Sequence, residues 1–132
     1  MMEKITVRTG KRQEFFDVTD SVNGVVKKSG VNSGVCHMYV PHTTCGLTIN
    51  ENADPSVKAD IISVLEKLVP EDGRYAHSEG NSDAHVKSSM TGHFLCVLVE
   101  GGTLQLGTWQ GIYLCEFDGP RTRQIWIKVM KQ

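Results

Sequence analysis

Three of the five histidines in this chain stand among residues that chemistry can use. His42 lies in Pro41-His42-Thr43-Thr44, His77 in His77-Ser78-Glu79-Gly80-Asn81, and His85 in Ser82-Asp83-Ala84-His85. Neutral imidazole is the commonest protein metal ligand, and three imidazoles with one open position make a catalytic type of zinc site. His77 and His85 bracket a loop and a helix start, so both rings can reach one centre. Glu51, Glu79 and Asp83 are candidates to orient those rings or to replace one of them with oxygen. The competing reading is a set of ordinary surface and capping histidines, since five histidines offer chance triples and a helix start keeps an imidazole neutral without metal. His37, alternating along a strand, is read as a structural or surface residue, and His93, just after Gly92, as a loop residue.

A second cluster suits anions. The start of a helix over 82–91 offers free N–H groups and the positive end of a dipole, with Ser82, Lys87, Ser88 and Ser89 nearby. Arg121 can add a bidentate clamp on phosphate. A capped helix with solvated polar residues accounts for the same pattern equally well. Two further polar groups are Asn50-Glu51 ahead of the Asp54-Pro55 helix start, and Trp109-Gln110 between Gly107 and Gly111. Capping explains Asp54 but leaves Asn50 and Glu51 without a structural task. The flanking glycines permit close backbone approach or a bulge.

These residues depend on the elements that carry them. Residues 4–8 alternate as a half-buried strand, 14–18 form a second, and Val22, Val25 and Val26 predict a helix over 20–29 with Gly30 as its C-terminal cap. Strand returns over 34–40 and again up to Asn50. The clearest helix is 55–69: Asp54 caps it, Pro55 suits the first position, and Val57, Ile61, Val64, Leu65 and Leu68 make one apolar stripe. Pro70 ends it. A polar connection over 71–81 leads to the helix 82–91, for which Ser82 is the expected cap and Gly92 the close. Beyond Phe94 the pattern is strand: 94–100 and 103–106 joined by Gly101-Gly102, then 111–117 and 122–130 joined by Asp118-Gly119-Pro120-Arg121. The expected fold is α+β, a mainly antiparallel sheet or sandwich with a few helices packed on one side.

Composition bounds the function. The 132 residues carry 14 Lys+Arg and 15 Asp+Glu, a formal charge of −1, so there is no basic field of the kind nucleic-acid binding needs. No run approaches the roughly 20 apolar residues that span a bilayer, and MMEKITVRTG has no apolar leader core. A single cytoplasmic domain, without membrane or nucleic-acid partners, is expected. Cys36, Cys45, Cys96 and Cys115 form no CxxC pair, which argues for free thiols; Cys96 and Cys115 sit in apolar runs and are expected to be buried. Walker, GxGxxG and GxSxG loops are absent from the sequence.

Together, HTTCGLTINENADP, HSEGNSDAHVKSSMTG and LQLGTWQGIYLCEFDGPR, in that order, resemble the YjbQ family over nearly the whole chain. The resemblance implies a compact α+β domain that forms a homotrimer, with a pocket near subunit contacts. It also implies a secondary thiamine-phosphate synthase activity, which joins a pyrimidine-methyl pyrophosphate to a thiazole phosphate and releases pyrophosphate. The motif positions here are His42, Thr43, Thr44, Asn50, Glu51, His77, Glu79, Gly80, Asn81, Ser82, Asp83, His85, Trp109, Gln110, Asp118 and Arg121. Cys45 departs mildly from the small residue usual in the family. On this reading His42, His77 and His85 hold a divalent metal, zinc by ligand type or magnesium by the demands of pyrophosphate. Glu51, Asp83 and Arg121 serve catalysis, and Thr43, Thr44, Asn50, Asn81, Ser82, Ser88 and Gln110 bind a small phosphorylated substrate. The alternatives are a metal-dependent hydrolase, with Glu51 or Asp83 as general base, and a non-enzymatic trimeric module that binds metal or a small molecule.

Overall fold

The computed structural model describes residues 2–132. In chain order the elements are β1 (Glu3–Arg8), β2 (Glu14–Asp17), α1 (Thr19–Ser29), β3 (Gly34–Tyr39), β4 (Cys45–Glu51), α2 (Pro55–Leu68), α3 (Ser82–Thr91), β5 (Phe94–Glu100), β6 (Thr103–Leu104), β7 (Gln110–Glu116) and β8 (Thr122–Lys131). The strands form two antiparallel sheets, a five-stranded one in the order β1-β8-β3-β5-β6 and a three-stranded one in the order β2-β7-β4. Gly101 and Gly102, at φ 60° and 73°, make the tight β5–β6 turn in a left-handed conformation that glycine adopts without strain.

Strand periodicity builds two cores. Ile112 and Leu114 of β7 face the five-stranded sheet and meet Cys36, Met38, Val97, Val99, Ile125 and Ile127. Tyr113 and Cys115 point the other way, into a second cluster with Phe15, Phe117, Ala84 of α3 and Ile61, Ile62 and Leu65 of α2. Thus α2 and α3 lie on one side of the smaller sheet. Helix α1 instead sends Val22 and Val26 into the space between the sheets. No helix among the described residues is long and apolar enough to cross a membrane.

Three sequence expectations need correction. Cys96 is exposed, whereas Cys36, Cys45 and Cys115 are buried; alternation along β5 turns Phe94, Cys96 and Leu98 outward while Val97 and Val99 fill the core. The stripe of α2 is only half used: Ile61 and Leu65 pack, but Val64 and Leu68 are 51% and 65% exposed, and α2 has no buried residue. Third, the cap of α3 is Asn81 rather than Ser82, and it makes no side-chain capping bond.

Helix α3 is pinned to β4 by close backbone approach. Leu47 N–H donates to Gly92 O at 3.0 Å, and the Ser88 hydroxyl to Cys45 O at 2.7 Å. A Cβ on Gly46 would lie 2.1 Å from Thr91 Oγ1 and 2.6 Å from Gly92 O. Gly46→Ala must therefore push α3 off the sheet. We expect a loss of about 1–3 kcal/mol in chemical denaturation, as for other overpacked sites; an unchanged midpoint would show that this contact yields freely.

Candidate active site

The cleft forms at one end of the sandwich, where three connections meet. The first is residues 41–44, leading into β4; Val40 N–H bonds His93 O at 3.0 Å and so ties the end of β3 to the segment after α3. The second is the turn 117–121 between β7 and β8, joined to the first by Phe117 N–H to Thr44 O at 3.2 Å. The third is the end of the α2–α3 connection with the first turn of α3. Pro41, His42, Thr43, Thr44, Glu79, Asn81, His85, Asp118, Arg121 and Arg123 line an open cleft of about 360 Å³.

His42 is fixed by its surroundings. Its Nε2 accepts the Gln124 N–H at 2.9 Å, so Nε2 carries no proton. Burial, then the positive charge of Arg123, hold this imidazole below its ordinary range against the opposing pull of Glu116. His42 is neutral at pH 7. His77 and His85 meet edge to face with ring centroids 5.4 Å apart, and His77 Nε2 is 3.8 Å from Glu79 Oε2. Both rings also line a shallow apolar hollow with Tyr75, Ala76, Ser82 and Val86.

Asn81 shows why its helix lacks a side-chain cap. Its Nδ2 donates to Asp118 Oδ2 at 2.9 Å, and a carboxylate can only accept. That settles the amide's orientation and leaves Oδ1 as the one buried side-chain polar atom without a partner among the described residues. Asp118 also receives Arg121, from Nη2 to Oδ2 at 3.0 Å and from Nε to its carbonyl at 2.8 Å. The Arg121 N–H donates to Thr9 Oγ1 at 2.9 Å. Beneath this surface Arg123 and Glu116 form a buried ion pair.

The structure gathers His42, Thr43, Thr44, Asn81, His85 and Arg121 at one cleft, with His77 touching His85 from the adjoining hollow. Other expected site residues lie elsewhere. Glu51, Asn50 and Gln110 sit at the far end of β4 and its partner β7, seven residues from Thr44 and so roughly 20 Å away. There the Glu51 side chain accepts the Asp54 N–H, the Asn50 side chain accepts the Glu51 N–H, and the Gln110 side chain accepts the Gly107 N–H. Ser88 is buried two turns into α3, between Cys45 O and His93 Nε2.

Asp83 is fully buried, receiving Arg12 at both oxygens (3.2 and 3.0 Å) and Lys87 Nζ at 2.9 Å. Burial pushes its carboxyl up, but the hydrogen bonds from Arg12 and Lys87 outweigh that and hold it below the ordinary range. Neither Glu51 nor Asp83 can serve as a general base for a substrate in this cleft. Lys87, also fully buried, faces Asp83, Glu66 and Gln13 rather than the cleft.

The three-imidazole metal centre is only partly drawn together. No group of three or more His, Cys, Asp or Glu side chains among the described residues is arranged to hold a metal ion. His42 has already given Nε2 to the backbone, leaving Nδ1 alone for a ligand. The donor set therefore does not fit a ready-made tetrahedral site.

Glu116 and Arg123 are the site residues that sequence reasoning passed over. A signal existed. Arg123 shares the inward face of β8 with Ile125 and Ile127, and Glu116 shares that of β7 with Ile112 and Leu114. Opposite charges at core-facing ends of two strands are costly unless they meet.

Fold and cleft define an α+β sandwich protein with an open polar cleft at one end. The family model described as UPF0047 protein YjbQ-like matches residues 3–132, and the chain belongs to that family. It is 50% identical over 131 residues to UPF0047 protein YugU of Bacillus subtilis, covering 98% of this chain and 99% of the relative. It is 48% identical over 130 residues to UPF0047 protein MJ1081 of Methanocaldococcus jannaschii, covering 98% and 94%. Among solved structures, a YjbQ/UPF0047-family protein of Clostridium acetobutylicum superposes with a TM-score of 0.95 at 47% identity, covering 97% of this chain and 99% of that one. A YbjQ-like protein of Sulfolobus solfataricus gives 0.95 at 31% identity, covering 100% and 97%.

Proposed function

We propose that the cleft is the reaction site of a secondary thiamine-phosphate synthase activity, joining a pyrimidine-methyl pyrophosphate to a thiazole phosphate. The observation that carries this reading is the meeting of His42, His85 and Arg121 at one open polar cleft lined by no serine, cysteine or lysine. The thiazole nitrogen supplies the attacking electron pair; the carbon–oxygen bond to pyrophosphate breaks, and pyrophosphate leaves with that bond's electrons. The chain has only to align the pair and stabilise the leaving charge. A thiol nucleophile is disfavoured, because burial pushes Cys45, next to the cleft, up to about 12 and Cys36 up to about 11.

Arg121 and His85 face the leaving group, and Thr43 and Asn81 offer hydrogen bonds. Both cleft arginines are already paired, Arg121 with Asp118 and Arg123 with Glu116. Charge stabilisation is therefore partial, which suits a slow secondary reaction. A divalent ion belongs to the reading only as one gathered by His42, His77 and His85 on binding, and no step depends on it. The homotrimer is proposed on the outer face of the five-stranded sheet, where Tyr39, Phe94, Leu98 and Met130 expose apolar surface.

The test is formation of thiamine phosphate from the two precursors. Slow turnover by the native protein is expected, with loss in the His42→Ala/His85→Ala double variant. Equal rates in the two proteins reject the assignment, and ligand binding without turnover favours a binding module. A zinc titration that leaves all three imidazole signals unmoved removes the metal.

A further inference from the structure

Arg123 is 4% exposed, yet it lines the cleft. A guanidinium has five N–H donors in a rigid plane. Arg123 Nε donates to Glu116 Oε1 at 2.9 Å, and Nη2 donates to Glu116 Oε2 at 2.5 Å, with Thr44 Oγ1 at 2.8 Å and Thr44 O at 3.3 Å sharing its second proton. Nη1 has no hydrogen-bond partner among the described residues. It is not sealed in the core either, because Asn81 Oδ1 is the one buried partnerless side-chain polar atom there. Two donors of a clamped, charged group are thus unpaired and not fully sealed, on a residue that lines the cleft.

The clamp leaves the outer donors of the guanidinium unshared. Glu116 does not serve Arg123 alone: it accepts the Thr9 hydroxyl at 2.7 Å and the N–H groups of Phe117 and Asp118 at 3.1 Å each. Its negative charge is spread over those donors, and the guanidinium is held in one plane by both carboxylate oxygens. A guanidinium fixed in one plane, with two diverging hydrogens left on Nη1, can donate charged hydrogen bonds to a tetrahedral oxyanion, and such bonds are strong and directional. Arg121, two residues earlier and exposed at the rim, can close over the same group.

We propose that Arg123 is the buried anion anchor of the cleft, presenting its Nη1 hydrogens to a phosphoryl group of the ligand. This rests on the reading of the cleft as a site for phosphorylated molecules and names the residue that holds the phosphate. Arg123 is a binding residue here, and Glu116 positions it.

Titration of the native protein with inorganic pyrophosphate, read at the arginine side-chain nitrogens by NMR, tests the anchor directly. A saturable shift at Arg123 is expected, and Arg123→Lys, which keeps the charge beside Glu116, should weaken binding roughly tenfold by losing the fixed Nη1 donors. Acetate should shift Arg123 far less. A shift confined to Arg121, or no saturable shift at any arginine, overturns the anchor whether or not the variant folds. The two readings separate cleanly: a shift at Arg123 without synthase turnover keeps the anchor and removes the reaction, whereas turnover without that shift does the reverse.

Discussion

Replacing Asp83 by asparagine is expected to cost about 3 kcal/mol of stability and lower Tm by roughly 10 °C at neutral pH. Asp83 and Lys87 are both fully buried on one face of α3, and Asp83 also takes Arg12 at both oxygens. The amide keeps the shape but removes the charge facing two cations. Lys87 would keep Gln13 Oε1 at 3.2 Å and, as its one remaining carboxylate, Glu66 at 2.9 Å, whose side chain is 39% exposed. Removing one partner of a buried pair is expensive because the other is left buried and uncompensated.

The pH dependence has a definite sign. The Asp83 carboxyl is held below its ordinary range, so the folded value lies below the unfolded one. Its stabilisation is complete above the unfolded carboxylate value near about 4, and drains away as pH falls through the folded value. Native and Asp83→Asn proteins should thus differ fully at pH 7 and converge in acid. Thermal melts at both ends of that range decide it: a gap under about 1 kcal/mol at pH 7, or one that widens in acid, would refute the network's role.

The second large effect is chemical. In the proposed synthase reaction, Arg121→Ala should lower the rate of pyrophosphate release by about 100-fold, the usual loss when one donor to a developing charge is removed. Tm should hardly move, because the side chain is exposed and its bond to Asp118 is a surface ion pair worth at most about 1 kcal/mol. Asn81 would still hold Asp118 at 2.9 Å and keep the turn in place. An unchanged rate would remove Arg121 from the reaction, and a collapse in Tm would make it structural.

Local pattern carried most of the fold. The strand 94–100, the double-glycine turn, the Asp54 cap on α2 with its 2.9 Å bond to the Ser56 N–H, and the Gly30 close of α1 at φ 71° are all legible, because each depends on neighbours within a few residues. The site was legible in part. His42, His85, Thr43, Thr44, Asn81 and Arg121 do converge, but Asn50, Glu51 and Gln110 were grouped with them by residue type and lie at the opposite end of a strand. A polar motif names a strand without saying which end of it faces the cleft.

What sequence alone determined is the type and order of the elements and the family. The tertiary structure decided which charges meet: Arg12 finds Asp83 across 71 positions, and Arg123 reaches Thr44 across 79. It also decided that α2 leaves Val64 and Leu68 uncovered and that Asn81 turns from its helix toward Asp118. The reason is physical. Periodicity is written by each residue's nearest neighbours, whereas the pairing of distant side chains follows from strand order and sheet packing, which no short stretch of chain specifies.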